Sequence, residues 1–284
     1  MVAPHAINTE NPSAVAEALT AIFVVAGADD IIPRIQKAVA DVGKMFEQGW
    51  TGYQPIDMEY HDLDHTLQVT MCMVYLLKGR SERFIQPELG VDDWELAILS
   101  ALLHDTGFLK ETGDNTGTGA KYTFVHEKRS CNFASKYLSA TGMSASKIED
   151  ICCAISCTGP RNRIADVTFQ REEARQIALL LVTADYLAQM SAADYLEKLP
   201  RLYMEFVEAF EHENVPPEQR PYQSLEQLLG MTAGFWENFV QPLLEGETEG
   251  VYHYLSPEGM PNPYLIAIED NLTELECRLQ ANTA

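Results

Sequence analysis

Apolar residues recur at three- and four-residue spacing along almost the whole chain, and no segment keeps a two-residue alternation between turn signals. That period belongs to helices, so the pattern predicts an all-α fold. Helices are expected near 13–26, 30–48, 63–79, 92–104, 123–139, 145–157, 171–190, 192–212, 222–244 and 263–281. Asp93, Thr123 and Ser191 read as N-caps, because their short polar side chains can accept from the first free N–H groups of a helix. Pro200 cannot donate the intrahelical hydrogen bond its position requires and should kink or restart its helix. The Gly- and Thr-rich stretch 106–122 reads as a mobile loop with the character of a lid. Residues 245–263 read as a linker of Gly, Glu and Pro. Beyond it, Leu265, Ile268, Leu272, Leu275 and Leu279 form an apolar stripe that needs a partner surface, and a second copy of the chain could supply one. The organisation is therefore one helical domain over 1–244, followed over 245–284 by a linker and a C-terminal amphipathic helix.

Charge narrows the set of partners. Acidic residues outnumber basic ones 42 to 20, so the chain as a whole repels a nucleic-acid polymer. A small phosphorylated molecule stays compatible with that charge, because a bound divalent cation reverses the field locally. The six cysteines lack the regular spacing of a disulfide framework and read as reduced thiols of a cytoplasmic protein. The apolar run 14–27 is interrupted by Glu17 and has no basic residue before it, so it reads as a buried helix rather than a signal segment. No uninterrupted apolar stretch reaches the roughly 20 residues of a membrane span.

Three elements carry candidate chemistry. In YHDLDH at 60–65, His61 and His65 are four apart and share one helical face. In WELAILSALLHDTG at 94–107, an apolar helix runs into adjacent His104 and Asp105, and its stripe of Trp94, Ile98 and Ala101 carries Asp105 toward the buried face. A carboxylate there costs several kcal/mol unless it is paired or bound to a metal. In QIALLLVTADYLAQM at 176–190, Asp185 is the one charged residue between Arg175 and Asp194, and it too calls for a cation.

In order and type, the three elements resemble the H…HD…D signature of the HD-domain superfamily of metal-dependent phosphohydrolases, over about residues 55–190. YHDLDHTLQV is also similar to the YHNxxHxxxV motif of class I cyclic-nucleotide phosphodiesterases, with Asp62 in the place of the Asn. The resemblance implies an HD-type helical bundle in which His65, His104, Asp105 and Asp185 hold a first metal and His126 serves a second. It implies that His61 is the general acid and that Asp105 bridges the metals. The cofactor expected is one or two divalent ions, among Mn, Fe, Zn, Co, Ni and Mg. The reaction expected is hydrolysis of a phosphomonoester or phosphodiester in a small, nucleotide-like substrate by metal-activated water. Lys128, Arg129, Arg161 and Arg163 are candidate phosphate contacts, and Lys110 is a further cation in the site loops. Two other readings share the ligand pattern: an HD-fold di-iron oxygenase, and a non-catalytic binding module that keeps a metal for stability.

Overall fold

The computed structural model describes residue 4 and residues 6–159 and 162–283. Among the described residues there are ten α-helices and no β-strand, only two isolated bridges at Trp50, Tyr53 and Glu111. The helices are α1 (Pro12–Ala26), α2 (Ile32–Glu47), α3 (Leu63–Glu82), α4 (Val91–Leu103), α5 (His126–Ala140), α6 (Ala145–Ser156), α7 (Glu172–Met190), α8 (Tyr195–His212), α9 (Leu225–Phe235) and α10 (Pro263–Thr283). The expected all-α architecture is observed. No described helix is long and apolar enough to cross a membrane.

Three of these helices are buried on nearly every side. Leu67, Met73, Leu76 and Leu77 of α3, Leu96 through Leu103 of α4, and Ile177 through Leu181 of α7 are almost inaccessible to solvent. A helix that is apolar all round can sit only in a core, and α3 packs on both α4 and α7 there. Fully burying one Leu or Ile contributes about 1.5–3 kcal/mol, so this three-helix centre dominates the fold's stability. The remaining helices enclose it. Among them, α2 and α8 alternate buried and exposed residues with the period of surface helices.

Local chemistry moves several boundaries. The N-cap of α4 is Gly90 rather than Asp93, which lies at the third helical position and accepts from the Gly90 N–H at 2.9 Å. Thr123 does not cap α5, which starts after Val125. Its hydroxyl donates instead to the Ala120 carbonyl, at the end of a 3-10 turn over 119–122. Ser191 has helical dihedrals and closes α7, while Asp194 precedes α8. Pro200 lies inside α8, which runs on without restarting.

The loop 106–122 is fastened. Lys110 bonds the Gly117 carbonyl and Asp57, Thr118 bonds Glu208, and Lys121 and Tyr122 both bond Asp114. The 245–263 segment does not behave as a linker. It winds through a π-turn (243–247) and a 3-10 turn (251–255) whose Val251, Tyr252 and Leu255 are buried. Gly79 of α3 lets this segment approach, since a Cβ there would lie 1.9 Å from the Tyr254 carbonyl oxygen. The stripe on α10 is covered within the same chain: Ile268 and Leu275 are buried, and Asn271 bonds the carbonyls of Met190 and Ala192.

Candidate metal centre

The polar centre lies among the three core helices. His65 enters from the first turn of α3, whose N-cap Asp62 accepts from the His65 N–H at 2.8 Å. Lys198 of α8 reaches Asp62 at 3.1 Å and Asp64 at 3.3 Å, pinning this helix start to its neighbour. Asp62, where the phosphodiesterase motif has Asn, thus both caps α3 and anchors it.

His104 and Asp105 follow the last residue of α4. Their turn is locked from α5, where the Ser130 hydroxyl donates to the His104 carbonyl and accepts from the Gly107 N–H. Gly107 is required by proximity: a Cβ would come within 1.9 Å of the His126 carbonyl oxygen. One glycine therefore lets the start of α5 close on the turn and brings His126 Nε2 to 3.6 Å from Asp105 Oδ1.

The side chains converge. His65 Nε2 lies 3.4 Å from Asp105 Oδ2 and 3.3 Å from Asp185 Oδ1, and His104 Nε2 lies 3.3 and 3.7 Å from the same two oxygens. One donor atom from each of His65, His104 and Asp185 falls within 4.8 Å of the others, so this buried trio could hold a metal ion. Nδ1 of His104 faces the Ala101 carbonyl at 2.7 Å, and Nδ1 of His126 faces that of Thr123 at 2.7 Å. A carbonyl can only accept, so both rings carry their proton on Nδ1 and turn a lone pair on Nε2 inward when neutral.

Geometry leaves this centre incomplete. His65 Nε2, His104 Nε2 and Asp105 Oδ2 are buried without a hydrogen bond among the described residues. Their separations permit attraction, but the donor and lone-pair directions do not line up. Without another cation, burial opposes charge on the imidazoles, yet the adjacent carboxylates of Asp105 and Asp185 outweigh it and push His65 up to about 9. His104 moves the same way. Burial likewise opposes charge on the acids, but the imidazoles, chiefly His104, hold Asp105 and Asp185 well below the usual carboxylate range. A metal replacing those protons would satisfy the same atoms.

No family model matches the chain, and no curated protein does either. The centre is read from its own atoms.

Around it, His61 Nδ1 meets Glu205 Oε2 at 2.6 Å, and its ring lies 5.7 Å from that of His65. Burial lowers the His61 pKa, but the charge and hydrogen bond of Glu205 outweigh this and raise it. Phe108 is fully buried and packs against both His61, at 4.9 Å, and His126, at 4.7 Å, which fixes their spacing. Glu205 and Phe108 escape sequence reasoning. Glu205 lies 144 residues from His61, and its α8 looks like any amphipathic surface helix.

The expected phosphate cations do not gather. Arg129 is used internally, donating to the carbonyls of Gly107 and Leu109 and lying over the Tyr122 ring at 3.5 Å. Lys110 is held by Asp57 at 2.7 Å. Lys128 is exposed, and Arg161 lies outside the described residues. Arg163 is exposed 3.8 Å from Glu247, on the wall of a cavity of about 770 Å³. That cavity also touches Val182 and Tyr186, one turn before and one residue after Asp185, and Gly159, against which the Glu127 carboxylate packs.

Proposed function

We propose that the chain is a metal-dependent phosphohydrolase of the HD type, acting on a small nucleotide-like phosphate ester in the cytoplasm. The observation that carries this reading is the set of orphaned atoms, Nε2 of His65 and His104 and Oδ2 of Asp105, buried beside Asp185. Burying such groups without partners costs several kcal/mol, a cost a divalent cation offsets. Imidazole with carboxylate suits Mn, Fe, Zn, Co or Ni, and a second position at Asp105 and His126, completed by oxygen ligands from water or substrate, would suit Mn or Mg.

When bound, the ion supplies Lewis acidity toward phosphoryl oxygens and makes water a competent nucleophile near neutral pH. The chain's own residues do the rest. Glu205 accepts from Nδ1–H of His61, so the protonated ring keeps its Nε2–H for the departing oxygen. Phe108 holds that ring beside the centre and leaves it little room to turn. The cavity along Val182 and Tyr186 has room for the organic part of the ester, with Arg163 at its wall.

The His61–Glu205 pair favours hydrolysis over the di-iron oxygenase, since phosphate transfer needs a proton donor at the leaving group. It also sets the chain apart from a non-catalytic module, in which a purely structural metal needs no such pair. Free thiols at all six cysteines suit a reducing compartment. The test is metal analysis followed by a screen of nucleotides, cyclic nucleotides and bis(p-nitrophenyl) phosphate. Phosphate or nitrophenol release that is abolished by a chelator and restored by Mn is expected. Coloured protein with two irons per chain and no hydrolysis would give the assignment to the oxygenase, and tightly bound metal with no turnover would make it a binding module.

A further inference from the structure

A second cavity, of about 500 Å³, lies between α2, α4, α5 and the tight turn at 50–53, and none of the residues of the metal centre lines it. Aromatic rings form much of its wall. Trp50 meets Tyr137 edge-on at 5.7 Å, and Tyr53 meets Phe133 edge-on at 5.3 Å. A tight turn presents Trp50 and Tyr53. It is closed by paired backbone bonds of 3.2 and 2.7 Å between those residues, and Gly49 precedes it at φ 81°, where a Cβ would lie 2.7 Å from the Tyr53 carbonyl oxygen.

Its charge runs against the rest of the molecule. Arg34, Lys37 and Lys136 line it with a single carboxylate, Glu95, in a chain of 42 acidic and 20 basic side chains. Glu95 is taken by Arg34 through Nε and Nη2, and Asp41 takes Lys37, but Lys136 has no carboxylate partner among the described residues. Its one polar contact is the Tyr53 hydroxyl at 3.3 Å, and its ammonium lies 5.9 Å from the centre of that ring. An exposed lysine without an acidic partner, beside the half-buried rings of Trp50 and Tyr53 and the buried ring of Phe133, is complementary to a molecule with one flat apolar part and one negative group.

We propose that this cavity is a second, non-catalytic binding site for a small aromatic anion. The ring of the ligand lies against Trp50, Tyr53 and Phe133, and its acid group lies on Lys136, with the free Nη1 of Arg34 as a second donor.

Fluorescence titration of the whole chain with 8-anilino-1-naphthalenesulfonate tests this, with N-phenyl-1-naphthylamine as the same ring system lacking the sulfonate. Saturable binding of one anion per chain is expected, with the neutral amine weaker by about ten-fold, the order of one charge-assisted hydrogen bond. Lys136→Glu should weaken the anion by at least about ten-fold, whereas Lys136→Arg should stay close to wild type. Lys78→Glu makes the same change of net charge on α3, where Lys78 pairs with Glu82, and should leave binding unaltered. Equal binding of the neutral amine, equal losses in Lys136→Glu and Lys78→Glu, or no saturable binding would each overturn the proposal.

Discussion

Two buried carboxylates divide this molecule into a finished polar cluster and an unfinished one. Asp41 of α2 and Asp105 after α4 are 4% and 2% exposed, so each faces a similar cost of leaving water. Around Asp41 the chain supplies the whole answer: Lys37, Lys44 at 3.5 Å and the Tyr137 hydroxyl at 2.9 Å all bond its oxygens. At Asp105 the neighbours of Oδ2 are two imidazole nitrogens at 3.3 and 3.4 Å, and neither makes a hydrogen bond with it. Asp41 has its partners within the chain, whereas the atoms beside Asp105 are left unpartnered and could take an ion.

The comparison breaks most sharply at the metal. Asp105→Ala and His104→Ala should each lose bound metal, with affinity falling by more than about 100-fold, since losing a residue that only orients a ligand already costs roughly 10–100-fold. Metal per chain measured after dialysis decides it, and unchanged stoichiometry in both variants would leave the two clusters equivalent. Asp41→Ala should keep its full metal content.

Next in size is His61→Ala, which should retain its metal and lose about 10²–10⁴-fold in turnover on an ester with a poor leaving group. Glu205→Gln sharpens the same point through pH. Glu205 raises the His61 pKa, so its removal lowers that pKa and leaves less of the ring protonated at neutral pH. The alkaline limb of the rate profile should then move to lower pH, and an unmoved limb would detach Glu205 from the acid.

His126→Ala should keep one tightly held metal while activity comes to depend on added Mn or Mg, with the second affinity weakened by at least about 10-fold. If His126 only packs against Phe108, the variant melts at lower temperature and its metal titration superimposes on that of wild type.

The smallest effect is expected at Asp41. Asp41→Asn should cost about 1–3 kcal/mol of stability by chemical denaturation with metal content unaltered. Burial raises this carboxyl's pKa, but the bonds from Lys37 and Tyr137 outweigh it and leave the pKa lowered. Its contribution is therefore present above the unfolded value near ~3.9 and is lost as pH falls through the folded value, so the variant's deficit should shrink in acid.

How much could be read from the chain varies with the range of the interaction. His104, Asp105 and Asp185 were visible because they interrupt or end an apolar helical stripe, whereas His65 was marked by its four-residue spacing from His61 and by the resemblance. His126 was marked only by its place after the loop. Its approach to Asp105 depends on Gly107 giving α5 room and on Ser130 locking the turn, and a string of residues displays neither. Arg129 shows the opposite error. As a basic residue near the site it resembled a phosphate contact, but the carbonyls of Gly107 and Leu109 had the first claim on its guanidinium. The Gly, Glu and Pro composition of 245–263 suggested a linker, whereas Val251, Tyr252 and Leu255 pack into the core.

Helical period along the chain was enough to foresee ten helices and to mark Asp105 and Asp185 as charges on apolar faces, because period and misplaced charge are local properties. Tertiary structure alone decided the N-caps, the Glu205 partner of His61, the covering of α10 and the gathering of cations around the Trp50–Tyr53 turn. Each of those depends on backbone dihedrals or on atoms far apart in the chain, and only packing in three dimensions brings such atoms within reach.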